Sequence, residues 1–272
     1  MSSDVQEAKP EGAVLLIIDP QVDFHPGGSL AVAGADADAE RIAAFLRRHE
    51  QDIDDVVVTL DSHHRFDISQ PGFWVSGEGN PPAPFTAITS EQVKLGLWKP
   101  VLEEHQAHCQ RYCEALEARG RFTHVVWPEH CLIGTVGQTV EPRINAALQD
   151  WALARRRAVH YVAKGANPLT EHFSAFAAEV PLDSDPGTAL NAALVARLRR
   201  RARVYVCGQA LSHCVNRSVR DLVEHWAPRS AADIVLLRDG ASPVAGFEGE
   251  AAAFVDAARA AGVTVVEHMA DV

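Results

Sequence analysis

No apolar run in the 272-residue chain approaches the ~18–20 residues that a membrane-spanning helix requires, and the longest near the amino terminus is only Ala13 to Ile18. Membrane insertion is therefore not expected. The first dozen residues lack an apolar signal-peptide centre, so residues 1–12 read as a flexible polar tail and a cytoplasmic location is expected. Cysteine is sparse and odd in number: Cys109, Cys113, Cys131, Cys207 and Cys214 argue against a disulfide framework and suit a reducing compartment. Positive charge is also short. Lys and Arg number 25 against 36 Asp and Glu, a net charge of −11, so a phosphate backbone would be repelled and nucleic acid is not an expected partner.

What the chain does have is a globular composition, 47% hydrophobic and 22% charged, enough for one domain over residues 13–272. Continuous apolar runs of strand length occur at Ala13 to Ile18, Val56 to Leu60, His124 to Trp127, Val159 to Ala163, Val204 to Cys207 and Ile234 to Leu237. Such runs suit strands covered on both faces. Helical stretches alternate with them: Asp38 to Glu50, Pro100 to Glu117, Glu141 to Trp151, Ala189 to Arg200, Val215 to His225 and Glu250 to Ala261. The expected fold is three-layer α/β/α around a central, mostly parallel six-stranded sheet with Rossmann-like topology. Val75 to Pro100, rich in Gly and Pro, reads as an irregular excursion within an insertion around residues 75–121, placed to act as a lid or a subunit contact.

Open parallel sheets bind ligands beyond the carboxyl ends of their strands, and here the apolar runs end in ionisable groups. The first ends in Asp19, the second in Asp61-Ser62-His63-His64, and the third leads into Trp127-Pro128-Glu129-His130. The fourth ends in Lys164 and the fifth leads to Ser212-His213-Cys214. Cys214 stands just ahead of a helix, where free amides and the helix dipole lower a thiol pKa, so a reactive thiolate is expected there. Lys164 and Asp19 supply the cation and base that such a nucleophile needs.

Three segments carry a resemblance. Ile17-Ile18-Asp19-Pro20-Gln21-Val22-Asp23-Phe24 followed by Gly28-Ser29-Leu30-Ala31-Val32, then Lys164-Gly165 with Asn167-Pro168, then Gly208-Gln209-Ala210-Leu211-Ser212-His213-Cys214-Val215 resemble, in this order, the opening, lysine and nucleophile segments of the isochorismatase-like cysteine hydrolases, in their nicotinamidase-like branch. The resemblance implies a triad in which Asp19 takes the thiol proton, Lys164 stabilises charge and Cys214 attacks an amide carbonyl. It also implies a cis peptide before Ala210, with the backbone amides of Ala210 and Cys214 forming an oxyanion hole, and Phe24 and Trp127 enclosing an aromatic substrate.

In that branch a divalent metal holds the pyridine nitrogen. The resemblance places Asp61, His63 and His130 as ligands, with zinc, iron and manganese all open, and Gln70 before Pro71 where many relatives have a histidine. No nucleotide cofactor is implied. The expected substrate is a small amide, nicotinamide or a similar carboxamide, and the expected assembly is a homo-oligomer. Two other readings stay open: a hydrolase of a carbamoyl, ureido or isochorismate-type substrate on the same triad without a functional metal, and a non-catalytic binding protein of the same fold. His105, His108, Cys109 and Cys113 fall at helical spacings that suit a buried helix face better than a second metal site.

Overall fold

The computed structural model describes residues 10–120 and 122–272; the expected tail therefore lies, up to residue 9, outside the described residues. In chain order the elements are β1 (Ala13–Ile18), α1 (Ala35–Arg48), β2 (Ile53–Asp61), β3 (Trp74–Ser76), β4 (Thr86–Ile88), α2 (Ser90–Lys94), β5 (Trp98–Pro100), α3 (Gln106–Ala118) and β6 (His124–Val126). They continue with α4 (Pro142–Arg155), β7 (His160–Lys164), α5 (Ala192–Arg199), β8 (Arg203–Gly208), α6 (Cys214–Glu224), β9 (Ile234–Leu237), α7 (Glu248–Ala260) and β10 (Thr264–Val266).

Six strands form one sheet in the order β10-β9-β8-β1-β2-β7, with every pairing parallel. The all-apolar sequence of β1 follows from its central place, because both of its faces are covered. Val14, Leu16 and Ile18 face the layer of α5, α6 and α7, packing in one cluster with Leu198, Val219 and Phe254. Leu15 and Ile17 face the layer of α1 and α4, with Phe45, Leu148 and Trp151. The chain reverses its direction of travel across the sheet between β1 and β8, so a crevice opens at their carboxyl ends. At the opposite edge Arg197 forks onto Asp55 at 2.8 and 2.9 Å, in keeping with a basic run that closes α5 away from the crevice.

Three expectations are corrected. The run at His124 to Trp127 is not a strand of the central sheet: β6 pairs antiparallel with β4, and the place beside β2 is taken by β7, in register from Val57↔His160 to Asp61↔Lys164. The sixth strand is β10, three half-exposed residues too short to show as an apolar run. Nor is Val75 to Pro100 irregular. It carries β4, α2 and β5, and β5 pairs antiparallel with β3. Thr89 caps α2 through a reciprocal box with Gln92. This region packs on α3 as a separate apolar cluster of Phe73, Trp74, Ile88, Val93, Tyr112 and Leu116. Pro100, expected to open a helix, closes β5 instead, and α3 begins at Gln106.

Candidate active site and metal centre

Asp19 follows β1 in a left-handed conformation, φ 43°. Its N–H donates to Thr59 Oγ1 at 2.9 Å, and the Thr59 hydroxyl donates back to Asp19 Oδ1 at 2.5 Å, which fixes the carboxylate at the crevice floor. Lys164 closes β7, and the pairing of Asp61 with Lys164 across β2 and β7 brings its ammonium inward. Its Nζ lies 2.8 Å from Asp19 Oδ2, 2.9 Å from Asp61 Oδ1, 2.9 Å from the His172 carbonyl and 3.7 Å from Cys214 Sγ. Cys214 opens α6, so its sulfur enters the crevice from the β8 side. Asp19, Lys164 and Cys214, from three separate strand ends, therefore meet in one buried cluster.

The backbone between β8 and α6 is shaped for this entry. Gly208 has φ 113°, and a Cβ there would lie 2.0 Å from the Ile18 carbonyl oxygen, so only glycine lets β8 approach β1 at this level. The Gln209–Ala210 peptide is cis, as the resemblance implied. The Ala210 carbonyl accepts the N–H groups of His213 and Val215, tying the turn to the first residues of α6.

Electrostatics correct one expectation. Burial pushes the Cys214 thiol well above its ordinary pKa, against the pull of Lys164. A helix start favours a thiolate only modestly, and full desolvation outweighs it, so the resting sulfur is a thiol. Burial also raises Asp19, with Lys164 opposing and Asp61 reinforcing. Lys164, although burial disfavours its charge, is held well above its usual range by the two carboxylates. The cluster thus combines a protonated thiol, a strengthened carboxylate base and a permanent cation.

The second cluster shares Asp61. Its Oδ2 lies 3.0 Å from His63 Nε2 and 3.4 Å from His130 Nε2, and one ligand atom from each of the three residues falls within 4.8 Å of the others. His130 Nδ1 lies 2.8 Å from the Pro128 carbonyl, which can only accept, so Nδ1 carries a proton and Nε2 is the nitrogen turned toward the carboxylate. Two imidazole nitrogens and a carboxylate oxygen that converge in this way offer the N and O donors that fit a divalent metal. His63 Nδ1 lies 3.4 Å from Asp67 Oδ2, a carboxylate behind the ring of the sort that orients metal-binding histidines. Asp61, His63 and His130 are a possible metal site, and among the described residues no other such group of three occurs. Gln70 is buried, with its amide donating at 3.4 Å to Ser69 Oγ, which lies 3.5 Å from His63 Nδ1, and with its Oε1 without a partner. The helical set His105, His108, Cys109 and Cys113 is structural: His108 Nε2 bonds the Leu169 carbonyl at 2.7 Å, and burial raises both thiols.

A pocket opens over both clusters, lined by Cys214 and Ala210 from the nucleophile segment and by Asp61 and His130 from the second cluster. Phe24 and Trp127 line it as expected. Sequence reading missed Leu30, Glu171, Phe173, His213 and Val244. His213 was visible as the residue before Cys214; Glu171 and Phe173 were not, because the loop after β7 folds back so that the His172 carbonyl meets Lys164. The insertion reaches this pocket: Phe85 meets Trp127 edge-on at 5.8 Å, and Phe122, just past it, stacks on His213 at 4.7 Å. Also unforeseen was Gln21, which clamps the Asp61 backbone by accepting its N–H and donating to its carbonyl, both at 2.7 Å.

No family model matches the chain. Among curated proteins it is similar to a nicotinamidase of Acinetobacter baylyi, 25% identical over 212 residues that make up 78% of this chain and 75% of that protein. Among solved structures it resembles a nicotinamidase and pyrazinamidase of Acinetobacter baumanii, with a TM-score of 0.65 at 22% identity over 97% of this chain and 99% of that one. The yeast nicotinamidase bound to the inhibitor nicotinaldehyde superposes with a TM-score of 0.65 at 19% identity, covering 93% and 99%. The pyrazinamidase of Pyrococcus horikoshii in complex with zinc gives 0.55 at 19% identity, covering 94% and 98%. The three-layer fold is therefore that of these enzymes.

Proposed function

We propose that this chain, whose relatives in sequence and fold are nicotinamidases and pyrazinamidases, is a cysteine-dependent amidohydrolase that releases ammonia from nicotinamide or a similar small carboxamide. The observation that carries the reading is the buried meeting of Asp19, Lys164 and Cys214, with Cys214 opening onto an aromatic-walled pocket. Asp19 accepts the Cys214 proton as the sulfur attacks the carbonyl carbon, because a thiol held neutral by burial needs a base in the same step. Lys164 stays charged throughout and offsets the negative charge created on sulfur. The backbone amides of Ala210 and Cys214 stabilise the oxyanion, a contribution of several kcal/mol in comparable sites. As the C–N bond breaks, Asp19 returns the proton to the leaving nitrogen, and ammonia departs from a thioester on Cys214. Asp19 then takes a proton from water, whose oxygen attacks the thioester; the acid product leaves and Cys214 regains its proton.

Asp61, His63 and His130 would hold a divalent metal, zinc, iron or manganese, with Gln70 Oε1 or water completing the shell. Bound there, it would supply a Lewis-acid anchor for a ring nitrogen. Phe24 and Trp127 would flank the ring. The deciding experiment is ammonia release from nicotinamide, pyrazinamide and a panel of carbamoyl and ureido amides, with and without chelator. Turnover of nicotinamide that chelator suppresses supports the full reading; turnover of ureido substrates alone, indifferent to chelator, replaces it with a metal-independent hydrolase. No turnover of any amide leaves the non-catalytic reading.

A further inference from the structure

Asp23 belongs to neither cluster, yet it ties together two turns that carry the pocket-lining residues Phe24, Leu30 and His130. Its Oδ2 accepts the Cys131 N–H at 2.7 Å. Its Oδ1 accepts the N–H and the hydroxyl of Ser29, both at 3.2 Å. Its own carbonyl accepts the Leu30 N–H at 3.0 Å. One half-buried carboxylate therefore joins the turn that follows β1, bearing Phe24 and Leu30, to the turn that bears His130.

The His130 turn needs such a tie. Cys131 has φ 48°, a left-handed conformation uncommon for a residue with a side chain, and such residues persist where surrounding contacts over-determine them. On its far side the Cys131 carbonyl accepts the His63 N–H at 3.1 Å. On its near side the only peptide between the imidazole-bearing residue and Cys131 is the one whose N–H Asp23 holds. Packing points the same way: a Cβ on Gly137 would lie 2.0 Å from Asp23 Oδ2, so the carboxylate fills a slot that only glycine leaves open.

We propose that Asp23 is a positioning residue that holds the His130 imidazole against Asp61, and through it sets the geometry of the metal face. The functional consequence rests on the metal reading above; the positional claim does not. Its chemistry is specific to a carboxylate. Cys131 and Ser29 donate to its two oxygens from opposite sides, and an amide can accept on one side only, so Asn at this position leaves one donor facing an NH2 group. Residues that support metal ligands from behind typically change affinity by about 10–100-fold when replaced.

The test uses the full chain stripped of metal and titrated with zinc against a chromophoric chelator, together with crystal structures of the variants. Asp23→Ala, which leaves the Cys131 N–H without its acceptor, is expected to weaken zinc binding at least about tenfold and to lengthen the His130 Nε2 to Asp61 Oδ2 separation beyond its present 3.4 Å. Gly137→Ala, which leaves the carboxylate in the sequence but pushes it from its slot, should do the same and serves if Asp23→Ala does not fold. Ser29→Ala, which removes one donor and leaves the Cys131 bond, should bind zinc like the parent. An unchanged His130 to Asp61 separation in the variants overturns the proposal. So does parental zinc affinity in both. A parent that binds no zinc overturns the metal reading instead, and the crystallographic separation then decides the role of Asp23 by itself.

Discussion

Removing the Lys164 ammonium while keeping most of its stem, as in Lys164→Met, should destabilise the protein in a way that depends on pH. The side chain is 1% exposed and pairs with two buried carboxylates at 2.8 and 2.9 Å. At an effective dielectric constant of about 20 each pair contributes about 6 kcal/mol of attraction, much of it spent on desolvating the charges. Deleting one partner of such a buried pair typically costs about 3–5 kcal/mol, because an uncompensated charge is left behind. His63 still neutralises Asp61, so the deficit falls mainly on Asp19. The folded-state pKa of Asp19 already lies above its ordinary 3.8, and losing Lys164, which lowers it, raises it further. A carboxylate raised in the folded state weakens stability above its folded pKa and ceases to do so below the unfolded value. The deficit should therefore be greatest at alkaline pH and shrink as pH falls toward the ordinary 3.8. In the parent, Lys164 titrates above its ordinary 10.5 and Asp61 below 3.8, so neither interferes within that window. Urea melts of parent and variant in chelator across this range measure it. A deficit below about 1 kcal/mol at pH 8, or one independent of pH, would refute the account of Lys164 as the compensating charge.

Cys214→Ala should abolish ammonia release while leaving the urea midpoint near the parental one, since the thiol is neutral at rest; turnover at the parental rate in this variant removes the thioester mechanism. His130→Ala should lower bound metal to less than about a tenth of an equivalent by elemental analysis, and an unchanged metal content would take His130 out of the shell. His124, buried between Trp74 and Tyr112, has its pKa pushed down by burial from 6.5 to about 4, so the unfolded chain binds the proton first. Its contribution is intact above about pH 6.5 and lost as pH falls toward about 4, on the order of 3 kcal/mol, and His124→Gln should remove that part of the acid sensitivity. Phe85→Ala, at the pocket rim against Trp127, should raise KM for aromatic amides severalfold with kcat little changed; an equal fall in kcat would place the insertion in the chemistry rather than in binding.

The sheet was legible because β1, β8 and β9 are buried on both faces and must be continuously apolar, a pattern few other environments demand. Asp19, Lys164 and Cys214 were legible for a related reason: residues that end such runs stand at the ligand-binding edge whatever the loops do. β10 and the small strands of the insertion escaped because three residues carry no period, and Gly and Pro between them look the same in a tight structured turn as in a loose one. The thiolate expectation left out burial, which raises the Cys214 thiol. A helix start acts through one or two turns of partial charge, whereas burial acts on the whole charge, and nothing in the sequence around Cys214 states how deep it lies. Glu171 and Phe173 belong to a segment without regular structure, whose course depends on Lys164 capturing the His172 carbonyl, a contact that exists only after β7 has paired with β2.

Asp61 decides how substitutions at this site must be interpreted. One of its oxygens meets Lys164 and the other meets His63 and His130, so the carboxylate belongs to the thiol cluster and to the candidate metal face at once. Changing it removes a candidate ligand, leaves Asp19 as the one remaining carboxylate partner of Lys164, and takes from His63 its partner at 3.0 Å. Loss of activity in an Asp61 variant would therefore not distinguish a metal requirement from a disturbed triad. His130 is the cleaner probe. Its Nε2 touches Asp61 through the oxygen that Lys164 does not use, and its Nδ1 engages only the Pro128 carbonyl, so its removal empties the metal face while the Asp19, Lys164 and Cys214 contacts keep their partners. Comparing the two variants measures the coupling directly: if the metal acts only on substrate binding, His130→Ala raises KM and spares the reactivity of Cys214, whereas Asp61→Asn changes both.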